Sequence, residues 1–382
     1  MQWLNSTGIA VSLFFVLFIL GKKNRKRADY LLILINLLMI SYLAFDMAVR
    51  THMSPLLLFF QTIAPYLLFP VYIFFAIDTV QEYQSNRRWI LLFIPALLSG
   101  LFLINDLFII HAYDAAALQK LYEAPPISYY IMYKGNQILF LVALIWLLKR
   151  LRKYRLHIKA TFSFIDPIQL NWLTQSTWAF LSINGVSMLI FIIYNFQLLP
   201  VDIDAAYSVF SLAMVLAIFY ISFHGIRQYT VAEYYGKNAI EEIRYEESVQ
   251  TLAESPEKYK TSSLTSAEQE TIYQNLRQMF ENRKLFLEAK LQLQEVADGL
   301  NVTTHNLSQT INSITGKPFY DFVNDYRVKH LQKLLADPTK RRFTILALGM
   351  DSGFNSKASL NRIFKAETGL SPKEYQLRNL PR

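Results

Sequence analysis

The chain has 382 residues, of which 53% are hydrophobic and only 18% are charged, and its formal net charge is +9. An average soluble domain carries about 25% charged residues, so this composition indicates that much of the chain lies in a membrane. The absence of cysteine excludes disulfides and cysteine-ligated zinc, and the six scattered histidines have no metal-ligand spacing. Catalysis by cysteine or at a histidine-rich metal site is therefore excluded. We predict no catalytic site, no metal site and no cofactor.

Seven apolar runs fill the first 225 residues, and each is long enough to cross the ~30 Å hydrocarbon core of a bilayer as a helix. They lie at about 3–20, 30–49, 56–79, 89–110, 127–148, 176–197 and 205–225. The first run has no basic residue before it and a basic cluster directly after it, which argues against a cleaved signal peptide. We predict a seven-helix transmembrane domain over residues 1–225.

The loops between these runs differ in charge, and lysine and arginine favour the cytoplasmic side of a membrane. With the N-terminus outside, the inner loops hold 13 basic residues and the outer loops hold two, Arg50 and Lys120. An odd number of spans then delivers the C-terminal region to the cytoplasm. The expected localisation is the cell (inner) membrane, with multiple passes, the N-terminus outside and the lipid bilayer as a partner.

Polar side chains occur toward the outer ends of several predicted spans, and ionisable residues inside a membrane are candidates for functional sites. Asp46, Asp106 and Lys134 carry opposite charges at similar depth and form a candidate signal pocket for a small-molecule or lipid ligand. The alternative, which we favour, is that these residues form ion pairs and hydrogen bonds between helices or lie among the headgroups.

The sequence changes character over residues 226–264, where charged residues mix with aliphatic residues at a spacing of three to four. This spacing predicts a helical juxtamembrane linker. The alternative is a coiled-coil seam that holds a homodimer, but the pattern covers barely two heptads. A cap at residues 265–268 then begins a cytoplasmic domain over residues 265–382.

Residues 293–309 have the pattern of a helix-turn-helix unit. Ala297 is small enough for a second helix to cross closely, Asn301 suits a left-handed turn, and Thr303 caps the next helix. In that helix the residues predicted to face inward are Leu307, Ile311 and Ile314. The polar side chains predicted to face outward, where they suit base edges and phosphates of a major groove, are Thr304, His305, Ser308, Gln309 and Asn312.

Residues 345–365 repeat this plan. Gly353 makes the turn over Phe354, and either Asn355 or Ser356 caps the second helix. Arginine is the best single reader of guanine, and asparagine of adenine. The outward residues of this helix are predicted to be Lys357, Ala358, Asn361, Arg362 and Lys365.

A helix that runs from about residue 317 to residue 336, with Pro318 in its first turn, joins the two units. About 18 residues span roughly 27 Å, which suits two recognition helices near one DNA turn apart, ~34 Å. Lys317, Arg341 and Arg342 are candidate phosphate contacts, although the last two also suit a solvated basic turn. We expect Arg327 to be a structural ion-pair partner rather than a base reader.

Several phrases in this region occur in a characteristic order: Leu-Gln-Glu-Val-Ala at 293–297, Gly-Lys-Pro-Phe at 316–319, Gly-Phe-Asn-Ser-Lys at 353–357, Asn-Arg-Ile-Phe-Lys at 361–365 and Thr-Gly-Leu-Ser-Pro-Lys-Glu-Tyr at 368–375. With these phrases residues 285–377 resemble the AraC/XylS-type DNA-binding domain, in which a long helix joins two helix-turn-helix units. The resemblance implies promoter binding and control of transcription, with both recognition helices as readers.

The chain also departs from the pattern of that family. Gly349 stands where alanine is usual, and Leu360 stands where phenylalanine is usual. Gln309 and Ile311 stand where arginine and phenylalanine are frequent. Glycine in place of alanine weakens a helix by about 1 kcal/mol, so we expect a softer second unit. We expect Gln309 to alter base preference rather than to abolish binding.

These patterns together predict an all-α protein in which a seven-helix transmembrane domain precedes a cytoplasmic all-helical domain. The predicted function is that of a membrane-embedded, sequence-specific transcription regulator that couples an external or membrane signal to double-stranded promoter DNA. One alternative is a membrane transporter or enzyme with an appended DNA-binding regulatory domain. Another is a regulator whose spans serve only as an anchor.

Overall fold

The computed structural model describes residues 2–51, 54–80, 91–105, 127–200, 202–236 and 264–379. In these ranges the regular secondary structure is helical apart from one isolated antiparallel bridge, which confirms the predicted all-α fold class. The chain forms two compact units. The first comprises residues 1–152 and 170–230, and the second comprises residues 153–169 and 231–382.

The first unit consists of apolar helices. In chain order they are α1 (Gln2–Leu20), α2 (Arg27–Thr51), α3 (Pro55–Thr79), α4 (Ile94–Ile104), α5 (Ile127–Thr161), α6 (Asn171–Asn195) and α7 (Ile203–Gly225). Within the described ranges, six of these are long and apolar enough to cross a membrane, and α4 is shorter. Helix α4 lies at the predicted fourth span, whose other residues are partly outside the described ranges. The count of seven spans therefore stays a prediction.

Several buried polar side chains in the first compact unit form hydrogen bonds to other helices. The amide of Asn36 on α2 donates to the hydroxyl of Ser222 on α7 at 2.9 Å. The hydroxyl of Tyr72 on α3 lies 3.1 Å from that of Ser176 and 2.9 Å from that of Thr177, both on α6. Buried hydrogen bonds between helices of this kind help to fix which helix faces meet.

The second unit contains the end of α5, the loop that follows it, and the C-terminal helices. These helices are α8 (Val231–Tyr235), α9 (Ser266–Arg283), α10 (Leu293–Leu300), α11 (Thr304–Thr315), α12 (Phe319–Ala336), α13 (Ile345–Asp351), α14 (Lys357–Thr368) and α15 (Pro372–Asn379). Two 3₁₀ turns lie at Leu285–Leu287 and Pro338–Lys340. Most of the predicted linker, residues 237–263, lies outside the described residues.

The helix starts in this unit agree with the caps predicted from the sequence. Thr265 and Glu268 form a reciprocal capping box at the start of α9, and the Thr303 hydroxyl accepts the backbone N–H of Asn306 at 3.1 Å. Ser356 caps α14, because its hydroxyl accepts the N–H of Ser359 at 3.1 Å. The other predicted cap, Asn355, instead donates its amide to the Ala289 carbonyl.

Helix α12 belongs to two hydrophobic cores. Its N-terminal half contributes Phe322 and Val323 to a core with α9, α10 and α11. Its C-terminal half contributes Val328 and Leu331 to a core with α13 and α14. The 18-residue helix thus joins two helix-turn-helix units, as the sequence predicts.

Arg327 is buried near the middle of α12, with 1% of its surface exposed. Its guanidinium makes five hydrogen bonds, at 2.7 to 3.3 Å, to the carbonyls of Phe286, Glu288 and Ser163, the Ser163 hydroxyl and the Asn324 amide oxygen. Burial lowers the pKa of Arg327 to about 10, so it stays charged at neutral pH. Its role is structural, as expected, but these partners are neutral oxygens rather than the carboxylate of an ion pair.

The two departures from the family pattern in the second helix-turn-helix unit compensate each other. A Cβ atom on Gly349 would lie 1.9 Å from Cδ1 of Leu360. Leu360 is buried, with 1% exposure, and occupies the space that an alanine methyl at position 349 would need. The glycine therefore makes room for the leucine.

The turn of the second helix-turn-helix unit closes tightly on Arg327. Gly353 has a positive φ of +88°, and a Cβ atom there would lie 2.4 Å from the Phe286 carbonyl oxygen and 2.9 Å from Nε of Arg327. Only glycine combines this backbone conformation with so close an approach.

We expect Gly353→Ala to lower the free energy of unfolding more than Gly369→Ala does. Both glycines have positive φ, so both variants carry a left-handed strain of roughly 1–2 kcal/mol. A methyl group at Gly369 meets nothing within 4 Å among the described atoms, whereas one at Gly353 displaces packed backbone, which adds about 1–3 kcal/mol. Chemical denaturation of the full chain measures both losses. Equal losses would contradict this account of the turn.

Candidate nucleic-acid interface

Helix α14, the second helix of its helix-turn-helix unit, exposes one polar face. Its opposite face is buried through Leu360 and Phe364. All five residues predicted to face outward are exposed, namely Lys357, Ala358, Asn361, Arg362 and Lys365. The exposed face therefore combines three cations with an amide, which are groups that pair with phosphates and base edges.

The corresponding helix of the first helix-turn-helix unit, α11, is less exposed. Asn312 is exposed, while His305, Ser308 and Gln309 are half-buried. The prediction that Thr304 faces outward is wrong, because only 6% of its surface is exposed. Thr304 lies three residues before the fully buried Leu307, so both fall on the same helix face.

Ile314, which was predicted to face inward, is 39% exposed. It lies in the last turn of α11, one residue before the helix ends at Thr315. The apolar stripe of α11 continues to this residue, but the buried core ends at Ile311. The three-residue spacing alone therefore overestimated the length of the buried face.

The candidate phosphate contacts differ in their surroundings. Lys317 pairs with Asp325 at 2.6 Å and lies 3.8 Å from Glu367, and the hydrogen bond to Asp325 raises the pKa of Lys317. Arg341 and Arg342 are exposed. Both arginines follow directly after a 3₁₀ turn, on the segment that leads into α13. They are therefore more accessible to a polyanion than Lys317.

The guanidinium of Arg362 has two hydrogen-bond partners within the second compact unit. Its Nη2 atom lies 2.8 Å from Oδ1 of Asp166 and 3.1 Å from the hydroxyl of Tyr320. Tyr320 is at the start of α12, and Asp166 is in the loop that follows α5. The sequence pattern indicates Arg362 but not Asp166, because no pattern relates residues 196 positions apart.

His330 connects α12 to the turn of the second helix-turn-helix unit. Its Nδ1 atom lies 3.2 Å from the hydroxyl of Ser352, and that hydroxyl donates its own hydrogen to the Leu348 carbonyl at 2.8 Å. The imidazole Nδ1–H is therefore assigned as the donor to Ser352. Burial, together with Lys284 and Lys333, lowers the pKa of His330.

The first compact unit, which contains the apolar helices, has a cavity of about 300 Å³. This volume is large enough for a small organic molecule. Its polar lining comes mainly from Gln61, Thr62, Tyr66, Tyr133, Asn136, Gln137, Asn184 and Tyr207. Among the described residues, the Tyr66 hydroxyl and the Asn136 amide nitrogen are buried without a hydrogen-bond partner. Both groups belong to residues that line the cavity.

Two residues of the predicted signal pocket, Asp46 and Lys134, are not among those that line this cavity. Asp46 accepts hydrogen bonds at 2.9 Å from Asn5 and from the cavity residue Gln61. Lys134 donates at 3.1 Å to the cavity residue Gln137. Asp106 lies outside the described residues. The structure thus does not place Asp46 and Lys134 together in this wall, but gives each a bond to a residue that lines it.

Known proteins resemble the C-terminal region of this chain. Residues 296–378 match the family model of a helix-turn-helix domain. An uncharacterized HTH-type transcriptional regulator of Staphylococcus aureus (strain COL) is similar to this chain, with 30% identity over 93 residues. The match covers 24% of this chain and only 12% of that relative. No solved structure matches the chain. The C-terminal region therefore contains a helix-turn-helix domain of the AraC type.

We expect the stability of the second compact unit to depend on the ionisation of His330. Because its pKa is lowered from 6.5 in the folded chain, the unfolded chain binds more protons just below that pH. The free energy of unfolding should therefore be constant above about pH 6.5 and fall as the pH drops through the lowered pKa. Denaturation between about pH 5.5 and pH 7.5 measures this slope.

The matched variant is His330→Asn, whose amide keeps a donor near Ser352 but does not titrate. It should show a smaller loss of stability over the same pH interval than the wild-type chain. Identical slopes in the two proteins would rule out His330 as the origin of the dependence.

Proposed function

We propose that this chain is a membrane-embedded, sequence-specific transcription regulator that binds double-stranded promoter DNA through α11 and α14. The observation that carries the proposal is the exposed basic face of α14, set in the second of two helix-turn-helix units. The helix-turn-helix match over residues 296–378 supports the same function.

The shared helix α12 supports a bipartite mode of binding. Its 18 residues correspond to roughly 27 Å, which suits recognition helices that enter successive major grooves on one face of DNA. Arg362 then reads guanine and Asn361 reads adenine, while Lys357, Lys365, Arg341 and Arg342 neutralise phosphates. One chain supplies both readers, so binding to an asymmetric site needs no homodimer.

The apolar helices support the membrane part of the proposal. Six described helices are suited to cross a bilayer, and the charge asymmetry of the loops favours an N-terminus outside and a DNA-binding domain in the cytoplasm. In this arrangement the regulator meets its promoter at the inner surface of the membrane. The cavity among these helices supports a sensing role, with a small molecule or a lipid as the ligand.

The DNA-binding proposal is tested by selection of duplex DNA with the purified full-length chain. We expect Arg362→Ala to weaken binding by about 1–3 kcal/mol and to relax preference at one base position, because a base reader is lost. Lys365→Ala should instead weaken binding to all sequences and reduce the salt dependence by about one charge. Arg277→Ala, which removes an exposed cation of α9, serves as the control. Recovery of DNA without any common motif would refute sequence-specific binding.

The sensing proposal is tested by filling the cavity. Asn136→Leu replaces a half-buried side chain whose amide nitrogen has no described hydrogen-bond partner and changes the shape of the ligand site. We expect it to change transcription of the genes that the protein binds, measured by RNA sequencing at equal protein abundance. Leu139→Met on the same helix, at a 55% exposed position, is the control. Transcription that is identical in both variants and the wild type would favour spans that only anchor the regulator.

A further inference from the structure

The loop between α5 and α6 folds as part of the second unit. Residues 153–169 belong to the same compact unit as the helix-turn-helix helices. Phe162 forms an antiparallel bridge with Gln292, and the Ser163 N–H donates to the Leu291 carbonyl at 3.1 Å. The loop therefore adds backbone contacts to the segment that leads into α10.

Two further contacts anchor the start of this loop. The carbonyl and the hydroxyl of Ser163 each accept a hydrogen bond from Arg327, at 2.9 and 3.0 Å. The ring of Phe162 stacks on Tyr235, with centroids 4.2 Å apart. Phe162 and Arg327 are almost fully buried. These contacts hold the loop in place by burial and hydrogen bonds rather than by exposed charges.

Two partly exposed ion pairs extend from this anchor toward the candidate interface. Lys159 pairs with Asp321 on α12 at 3.2 Å, and Asp166 pairs with Arg362 on α14 at 2.8 Å. The Arg362 side chain is 52% exposed and that of Asp166 is 21% exposed. Water and salt screen such pairs, so they are weak enough to exchange for another anion.

The partners of Arg362 conflict with its use as a base reader. Arginine reads guanine with two N–H groups of its planar fork. Here Nη2 is bonded to both Asp166 and Tyr320, so that edge of the fork is occupied. The carboxylate of Asp166 also places a negative charge beside the face that must approach DNA phosphates.

We propose that the loop over residues 162–169 is an autoinhibitory element, in which Asp166 competes with DNA for Arg362. This inference rests on the proposed function, because it requires α14 to bind DNA. In the closed state Asp166 holds Arg362 against Tyr320. In the open state the ion pair breaks, Arg362 reaches the base edges, and the Ser163 anchor still holds the loop.

The loop is covalently continuous with α5 and α6, two of the helices suited to cross a membrane. A change in these helices therefore has a short covalent path to Asp166. By this path a signal at the membrane alters the affinity of the chain for DNA without any change in the recognition helices.

The test compares the full-length wild-type chain and Asp166→Asn in lipid nanodiscs. Each protein first selects duplexes from a random-sequence DNA library. The dissociation constant of a selected, labelled duplex is then measured at fixed salt by fluorescence anisotropy. We expect Asp166→Asn to bind about two- to fivefold more tightly, the range that an exposed ion pair supplies, while Asp166→Glu binds like the wild type.

Charge controls separate this effect from general attraction to DNA. Glu281→Gln raises the net charge as much as Asp166→Asn does, but it acts on an exposed pair within α9. It should tighten binding less than Asp166→Asn. The double variant Lys159→Gln/Asp166→Asn keeps the net charge of the wild type and should still bind more tightly. In an Arg362→Ala background, Asp166→Asn should lose its effect.

Each outcome decides a separate point. Thermal unfolding checks that the wild type and Asp166→Asn are both folded. Equal dissociation constants for the two folded proteins would overturn autoinhibition and leave DNA binding intact. Equal gains from Glu281→Gln and Asp166→Asn would also overturn it. If neither protein selects a motif, the proposed function fails and this inference fails with it. Selection by Asp166→Asn alone would be the strongest support.

Discussion

The second unit depends on the burial of one cation, Arg327. An arginine has five N–H donors, and all five are used, on backbone and side-chain oxygens from three separate stretches of chain. A buried cation is costly unless its donors are satisfied, so these stretches must come together around it. The turn at Gly353 approaches the same guanidinium so closely that a methyl group does not fit. The arrangement of the loop after α5, of helix α12 and of the turn at Gly353 therefore follows from the burial of the Arg327 guanidinium.

Much of this unit could be predicted from local sequence, because local rules determine where its helices begin and turn. Thr303 and Asn301 have the roles that capping and left-handed turns assign to them. Thr304 shows where such rules fail, since the same spacing that buries Leu307 also buries its neighbour three residues earlier. The pairing of Arg362 with Asp166 was beyond prediction for another reason. It depends on where a distant loop folds, and periodicity carries no information about that.

The apolar helices of the first compact unit show a similar limit. Length and apolar composition predicted helices at the positions where six of them are found. They also drew attention to Asp46 and Lys134, because charge at that depth is unusual. Depth does not reveal which face of a helix a residue occupies. The cavity is lined instead by neutral amides and tyrosines, to two of which Asp46 and Lys134 are hydrogen-bonded.

The contact between Ser163 and Arg327 also has a consequence for biosynthesis. The two residues are 164 positions apart, and a ribosome adds about 5–20 residues per second. The loop thus leaves the ribosome roughly 8 to 33 seconds before the guanidinium that its oxygens accept. During this interval the acceptors of Ser163 lack the donors of Arg327. The C-terminal helices then complete their fold on a partner that was synthesised first, so the same helices expressed alone lack two of the five acceptors around their buried cation.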